Sequence, residues 1–191
     1  MGRSGGRDRR RHAGPLSVAA VTLTLEALNR LRAAEFERAL GEVFERSPWV
    51  AGRVAPARPF ATVEDLHAAM VAAVRRASRD ERLALLRAHP DLAGRAARAG
   101  ALSPASVAEQ SSAGLDRLDD GEFARFGRLN AAYREKFGFP FIIAVRRHDK
   151  HAILAAFETR LLNTSDQEIA TALAQVFEIA RLRLDRLVSA R

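Results

Sequence analysis

The chain has no cysteine. Disulfides, thiolate catalysis and thiolate metal sites are thereby excluded, and the composition fits a reducing cytoplasm. Aromatic residues are only 6% of the chain, and β-branched runs are scarce. No apolar run is long enough to span a bilayer, so no membrane partner is expected. There is no internal repeat and no P-loop, GxGxxG, HExxH or GxSxG pattern. His148 and His151 lie beside Arg146, Arg147 and Lys150, and no acidic residue at helical spacing completes a site there, so no metal is expected.

What is present favours helices. Alanine, leucine, arginine and glutamate dominate, and all are strong helix formers. With 191 residues, 48% of them apolar, the chain can bury one well-formed core. The expected fold is all-α: a single-domain bundle of about eight to nine helices over residues 21–191, behind a disordered basic tail at 1–20. The formal charge of +8 is partly local, since Arg3, Arg7, Arg9, Arg10 and Arg11 against Asp8 leave +4 within the first 13 residues. The remainder is too thinly spread to mark a nucleic-acid-binding face. The basic start followed by Leu16–Leu25 superficially resembles an export signal, but Ser17, Thr22 and Thr24 interrupt the apolar part.

Capping residues and apolar spacing place the helices. Thr24 opens a short one to Leu31. Ala34 to Phe44 follows, carrying Phe36, Leu40, Val43 and Phe44, and Ser47-Pro48-Trp49 ends it. Arg53 to Pro59 reads as a connector. Thr62 caps a helix to about Ala77. Ser78 or Asp80 starts the next, which runs to His89. Pro90 to Ala99 reads as a short helical turn. Ser103-Pro104 opens a helix ending near Gly114, and Asp120 caps one from Glu122 to Phe137. Gly138 stops that helix. Residues 149–162 form another, and Thr164 or Ser165 opens the last, which reaches Val188.

Several features stand apart from this scaffold. His89 precedes Pro90, which disfavours a helical backbone at the histidine and stiffens the joint. Such an imidazole either caps the preceding helix or serves as an acid or base. Ser106, Glu109 and Gln110 share one helical face, either a solvated face or part of a site. Phe139 to Val145 is too apolar for an exposed loop, and Pro140 argues against a central strand. It reads as a buried extended segment whose backbone polar groups need a ligand, water or side chains as partners. Arg183 borders the apolar stripe of the last helix and needs an anion or acceptor, unless it only snorkels. Arg160 is in a similar position beside Phe157 and Leu161.

Four stretches in order carry a resemblance: His89-Pro90-Asp91-Leu92-Ala93-Gly94; Ser106-x-x-Glu109-Gln110-x-x-Ala113-Gly114-Leu115; Leu129-Asn130-x-x-Tyr133-x-x-Lys136-Phe137-Gly138-Phe139-Pro140-Phe141-Ile142-Ile143; and Arg181-Leu182-Arg183-Leu184. Together they resemble the OHCU (2-oxo-4-hydroxy-4-carboxy-5-ureidoimidazoline) decarboxylase family of urate breakdown. The resemblance spans about Leu25 to Val188 and takes in Ser47-Pro48-Trp49 and Arg58-Pro59-Phe60. It implies an all-helical, cofactor-free enzyme, usually a homodimer, that converts OHCU to (S)-allantoin. It makes His89 the catalytic histidine, with Glu109 and Arg183 beside it in the catalytic set. Pro90, Ser106, Gln110 and the Phe141, Ile142, Ile143, Ala144 and Val145 backbone become substrate contacts, with Arg160 a further one. The alternatives are a basic helical nucleic-acid-binding module and a helical interaction protein without activity.

Overall fold

A computed structural model describes residues 23–94 and 100–189. The expected basic tail at 1–20, and the end of the expected turn at 90–99, lie outside the described residues. Within them the chain forms nine helices: α1 (Leu25–Arg30), α2 (Ala33–Leu40), α3 (Trp49–Val54), α4 (Val63–Arg76), α5 (Arg79–Arg87), α6 (Pro104–Ser112), α7 (Asp120–Phe137), α8 (Lys150–Arg160) and α9 (Ser165–Leu187). The one strand pair among the described residues joins Leu23–Thr24 in parallel to Val188–Ser189, tying the start of α1 to the end of α9.

Local chemistry accounts for most boundaries. Thr62, Ser78 and Thr164 each accept a hydrogen bond from the third residue of their helix and form reciprocal capping boxes. Asp119, not Asp120, caps α7. Gly138 ends α7 at φ +74°, a left-handed conformation suited to glycine. One stretch departs from the reading of the sequence. α2 stops at Leu40, and two tight turns follow, closed by Val43 N–H to the Leu40 carbonyl and Ser47 N–H to the Phe44 carbonyl. α3 then forms from Trp49, read as part of a helix end, to Val54, inside the stretch read as a connector from Arg53. Tight turns keep Val43 and Phe44 buried at spacing close to a helix's, so periodicity does not separate the two.

α9 is the central helix and packs on α4, α5 and α7; α3 lies between α2 and α4, and α8 lies on α7. The scarce aromatics are concentrated. Tyr133 lies at the middle of a cluster with Phe137, Phe139, Phe141 and Phe157, the last two stacked with ring centroids 3.7 Å apart. Phe139 and Phe141 anchor the expected extended segment, which is buried from Phe139 to Ala144 before a 3₁₀ turn at Val145–Arg147. Side chains serve part of its backbone: the Ala144 N–H donates to Gln175 Oε1 at 2.9 Å, and Arg160 Nη1 donates to the Ile142 carbonyl at 2.7 Å.

Candidate active site

His89 follows α5 and is only 7% exposed. Its Nδ1 lies 3.0 Å from the Leu85 carbonyl. A carbonyl only accepts, so Nδ1 carries the hydrogen and Nε2 keeps a lone pair. The capping role and the acid–base role are therefore compatible in one side chain. Burial pulls the imidazole pKa down to about 4, against support from the Leu85 hydrogen bond and the Glu45 carboxylate. At neutral pH it is an uncharged acceptor.

The loop after His89 is pinned from two helices. Gln110 Oε1 on α6 accepts the Ala93 N–H at 2.9 Å, and Asn130 Nδ2 on α7 donates to the Leu92 carbonyl at 2.8 Å. Arg134 Nε adds a 2.8 Å bond to Asp91 Oδ1. Ala93 adopts φ +50° in this turn, a conformation that non-glycine residues hold only when their surroundings impose it.

α6 begins as its residues dictate. The Ser103 hydroxyl accepts the Ser106 N–H, and Pro104 occupies the first turn. Ser106, Glu109 and Gln110 then face inward, with Ser106 and Gln110 buried. Opposite them α9 presents Arg183, 5% exposed. Its guanidinium forms a fork on Glu109, with Nε to Oε1 at 2.8 Å and Nη2 to Oε2 at 2.9 Å. Nη1 donates to the Glu42 carbonyl at 3.0 Å. The reading of the sequence gave this fork to an incoming anion; in the folded chain Glu109 holds it.

One residue here was missed. Glu45, in the turn between α2 and α3, is 2% exposed and places Oε2 2.9 Å from Arg183 Nη2. The Ser106 hydroxyl donates to the same oxygen at 3.1 Å. Burial raises the Glu45 pKa, but Arg183, His89 and Ser106 outweigh it and hold the group ionised below the usual carboxylate range. Desolvation likewise opposes the charge on Arg183, but Glu109 and Glu45 keep its pKa above the ordinary value. The buried charges are thus one guanidinium against two carboxylates, beside a neutral imidazole. The only hint in the sequence was that Arg183 needed an anion.

These groups meet at a narrow cleft lined by His89, Pro90, Leu92, Ser106, Glu109, Gln110, Phe141, Ile142, Ile143, Val145, Ile179 and Arg183. The structure thus brings together ten of the residues singled out from the sequence. Ala144 is not in the lining, and its N–H is taken by Gln175. Arg160 stands behind the wall, in a buried cluster where Glu168 accepts from its Nε at 2.8 Å, from Asn163 Nδ2 at 2.6 Å and from the Tyr133 hydroxyl. Its link to the cleft is indirect, through the Ile142 carbonyl. Among the described residues no group of three or more histidine and carboxylate side chains is arranged to hold a metal ion.

An arrangement of this kind can take up a small polar anion, move a proton at Nε2 and surround both with fixed dipoles. Known proteins carry the same chain pattern. The family model for OHCU decarboxylase matches residues 29–185. A protein of Haloferax volcanii called 2-oxo-4-hydroxy-4-carboxy-5-ureidoimidazoline decarboxylase is 49% identical over 85% of this chain and 94% of its own length. One of the same name from Halalkalicoccus jeotgali is 44% identical over 88% of this chain and 94% of its own. The crystal structure of (S)-allantoin synthase superposes with a TM-score of 0.70 at 37% identity, over 87% of this chain and 54% of that longer one. The match to the family model over most of the length, and the close relatives covered almost end to end, show that this chain belongs to the OHCU decarboxylase family.

Proposed function

We propose that this protein decarboxylates OHCU to (S)-allantoin in urate breakdown, without a cofactor, and that residues 21–191 are the catalytic unit. The observation that carries the reading is the convergence of His89, Ser106, Glu109 and Arg183 on one cleft walled by Phe141, Ile142, Ile143 and Val145. In the reaction the bond to the carboxylate breaks and carbon dioxide leaves. Its electron pair stays on a ring whose unsaturated, heteroatom-rich neighbours absorb it, so no added electron sink is needed. One proton from solvent balances the loss, and one must reach the ring carbon from a single face.

His89 manages that proton. Its free Nε2 takes the substrate's hydroxyl proton, and the resulting imidazolium, flanked by Glu45 and Glu109, returns a proton to carbon. Arg183 attracts the carboxylate, which displaces Glu109 from the guanidinium fork. Glu109 then turns to the ureido N–H groups. Ser106, Gln110 and Pro90 shape the pocket. Ile142 and Ile143 line it, and their N–H groups make no hydrogen bond to another described residue, so these amides are the donors assigned here to the oxygen that gains charge. Arg160 supports this wall from behind.

The test follows freshly made OHCU by circular dichroism, with and without protein. Only steered reprotonation leaves the lasting signal of (S)-allantoin, because unsteered decay ends in the racemate. His89→Ala should lower turnover by about 10²-fold or more. Near-normal turnover of that variant with intact helicity removes His89 from the chemistry, and the same time course with and without wild-type protein removes the activity. The same reading makes the enzyme a cytoplasmic homodimer. Light scattering should then return twice the 20.9 kDa chain mass.

A further inference from the structure

The site holds two carboxylates for one guanidinium, and the two are not equivalent. The Glu109 side chain is 12% exposed and lines the cleft, whereas that of Glu45 is 2% exposed and lies behind it. Glu45 has fixed partners: Arg183 Nη2 at 2.9 Å and the Ser106 hydroxyl at 3.1 Å, with Ser47 Oγ donating to its own backbone carbonyl at 3.0 Å. With both carboxylates on Arg183 the net charge is −1, which repels an anionic ligand. One of them must release the guanidinium when the ligand enters, and Glu109 is the one that lines the cleft, whereas Glu45 is outside that lining and is held by Arg183 and Ser106. Without Glu45, the guanidinium would then keep only the Glu42 carbonyl and the weak Ser106 contact.

We infer that Glu45 is a positioning residue: a permanent buried counter-charge that keeps Arg183 and Ser106 aimed at the cleft when Glu109 turns away. This rests on the decarboxylase reading. A consequence reaches His89. The charged groups facing the imidazole are Glu45 from the α2–α3 turn, Glu109 from α6 and Arg183 from α9. Removing the Glu45 charge leaves Arg183 less opposed and makes His89 harder to protonate.

The test compares wild type with Glu45→Gln, which keeps the shape and removes the charge. Expected is a kcat at least about tenfold lower with KM not raised, because the variant site repels the anionic substrate less. The acid limb of the pH–rate profile should move down by about one pH unit. In parallel, NMR titration of the His89 ring in the ligand-free protein should show the same downward movement. If Glu45→Gln does not fold, Glu45→Asp serves: it retains the charge, so the His89 titration should stay close to wild type while kcat falls because the shorter arm loses Arg183. Unchanged kcat and unchanged His89 titration in Glu45→Gln, or unchanged kcat in Glu45→Asp, overturn the inference. Absence of turnover in wild type sinks the decarboxylase reading instead, and the ring titration still decides whether Glu45 sets the field at His89.

Discussion

The burial of His89 has a measurable consequence for folding that requires no substrate. In the folded chain the imidazole ionises at about 4, against an ordinary 6.5, chiefly because burial disfavours its charged form. Above pH 6.5 both folded and unfolded chains carry it neutral, and it adds no pH dependence. As the pH falls from 6.5 to 4 the unfolded chain binds a proton that the folded chain does not. Stability therefore drops through that window and levels off below it. The gap between 6.5 and about 4, at about 1.4 kcal/mol per pH unit, corresponds to a loss of about 3 to 4 kcal/mol. By pH 4.5 most of that loss should be present. The comparison variant is His89→Asn, whose amide N–H can still donate to the Leu85 carbonyl but does not titrate. Urea unfolding followed by far-ultraviolet circular dichroism at pH 7.5 and pH 4.5 gives the two stabilities. Wild type should lose about 2 to 3 kcal/mol more than the variant between those pH values. Equal losses would show that the ring is as well solvated in the folded chain as in the unfolded one, and the described site would be wrong at its centre.

Other perturbations address other parts of the structure. Arg183→Lys should lower turnover by about 10²-fold, because one ammonium cannot hold both Glu109 oxygens, Glu45 and the Glu42 carbonyl together; a kcat near wild type would show that the fork geometry is irrelevant. Glu168→Ala strips the buried Arg160 of its carboxylate and should cost about 3 to 5 kcal/mol in urea unfolding. A loss below about 1 kcal/mol would mean that water reaches that cluster. Gly138→Ala puts a side chain at φ +74°, just before the extended segment, and should destabilise by about 1 to 2 kcal/mol without abolishing turnover. No change in the urea midpoint would place that turn outside the left-handed region.

The sequence alone determined the helical class and most helix starts, because these rest on interactions within one turn. Thr62, Ser78, Thr164 and the Ser103-Pro104 pair cap the helices they announce. It also marked Phe139 to Val145 as buried and extended, since an apolar run with Pro140 has few other options; Val145 is buried but begins a 3₁₀ turn. His89 was legible as a candidate from its place before Pro90, Ser106 and Glu109 from sharing one helical face, and Arg183 from bordering an apolar stripe. Tertiary structure decided which groups pair. Glu45 and Arg183 are far apart in the chain, and only the packing of α9 against the α2–α3 turn brings them to 2.9 Å. The same packing gave the Arg183 fork to Glu109 and placed Arg160 behind the cleft wall, on Glu168. Capping is a short-range property that a few neighbouring residues encode. The partner of a buried charge depends on which distant element shares its low-dielectric surroundings, and no local pattern carries that information.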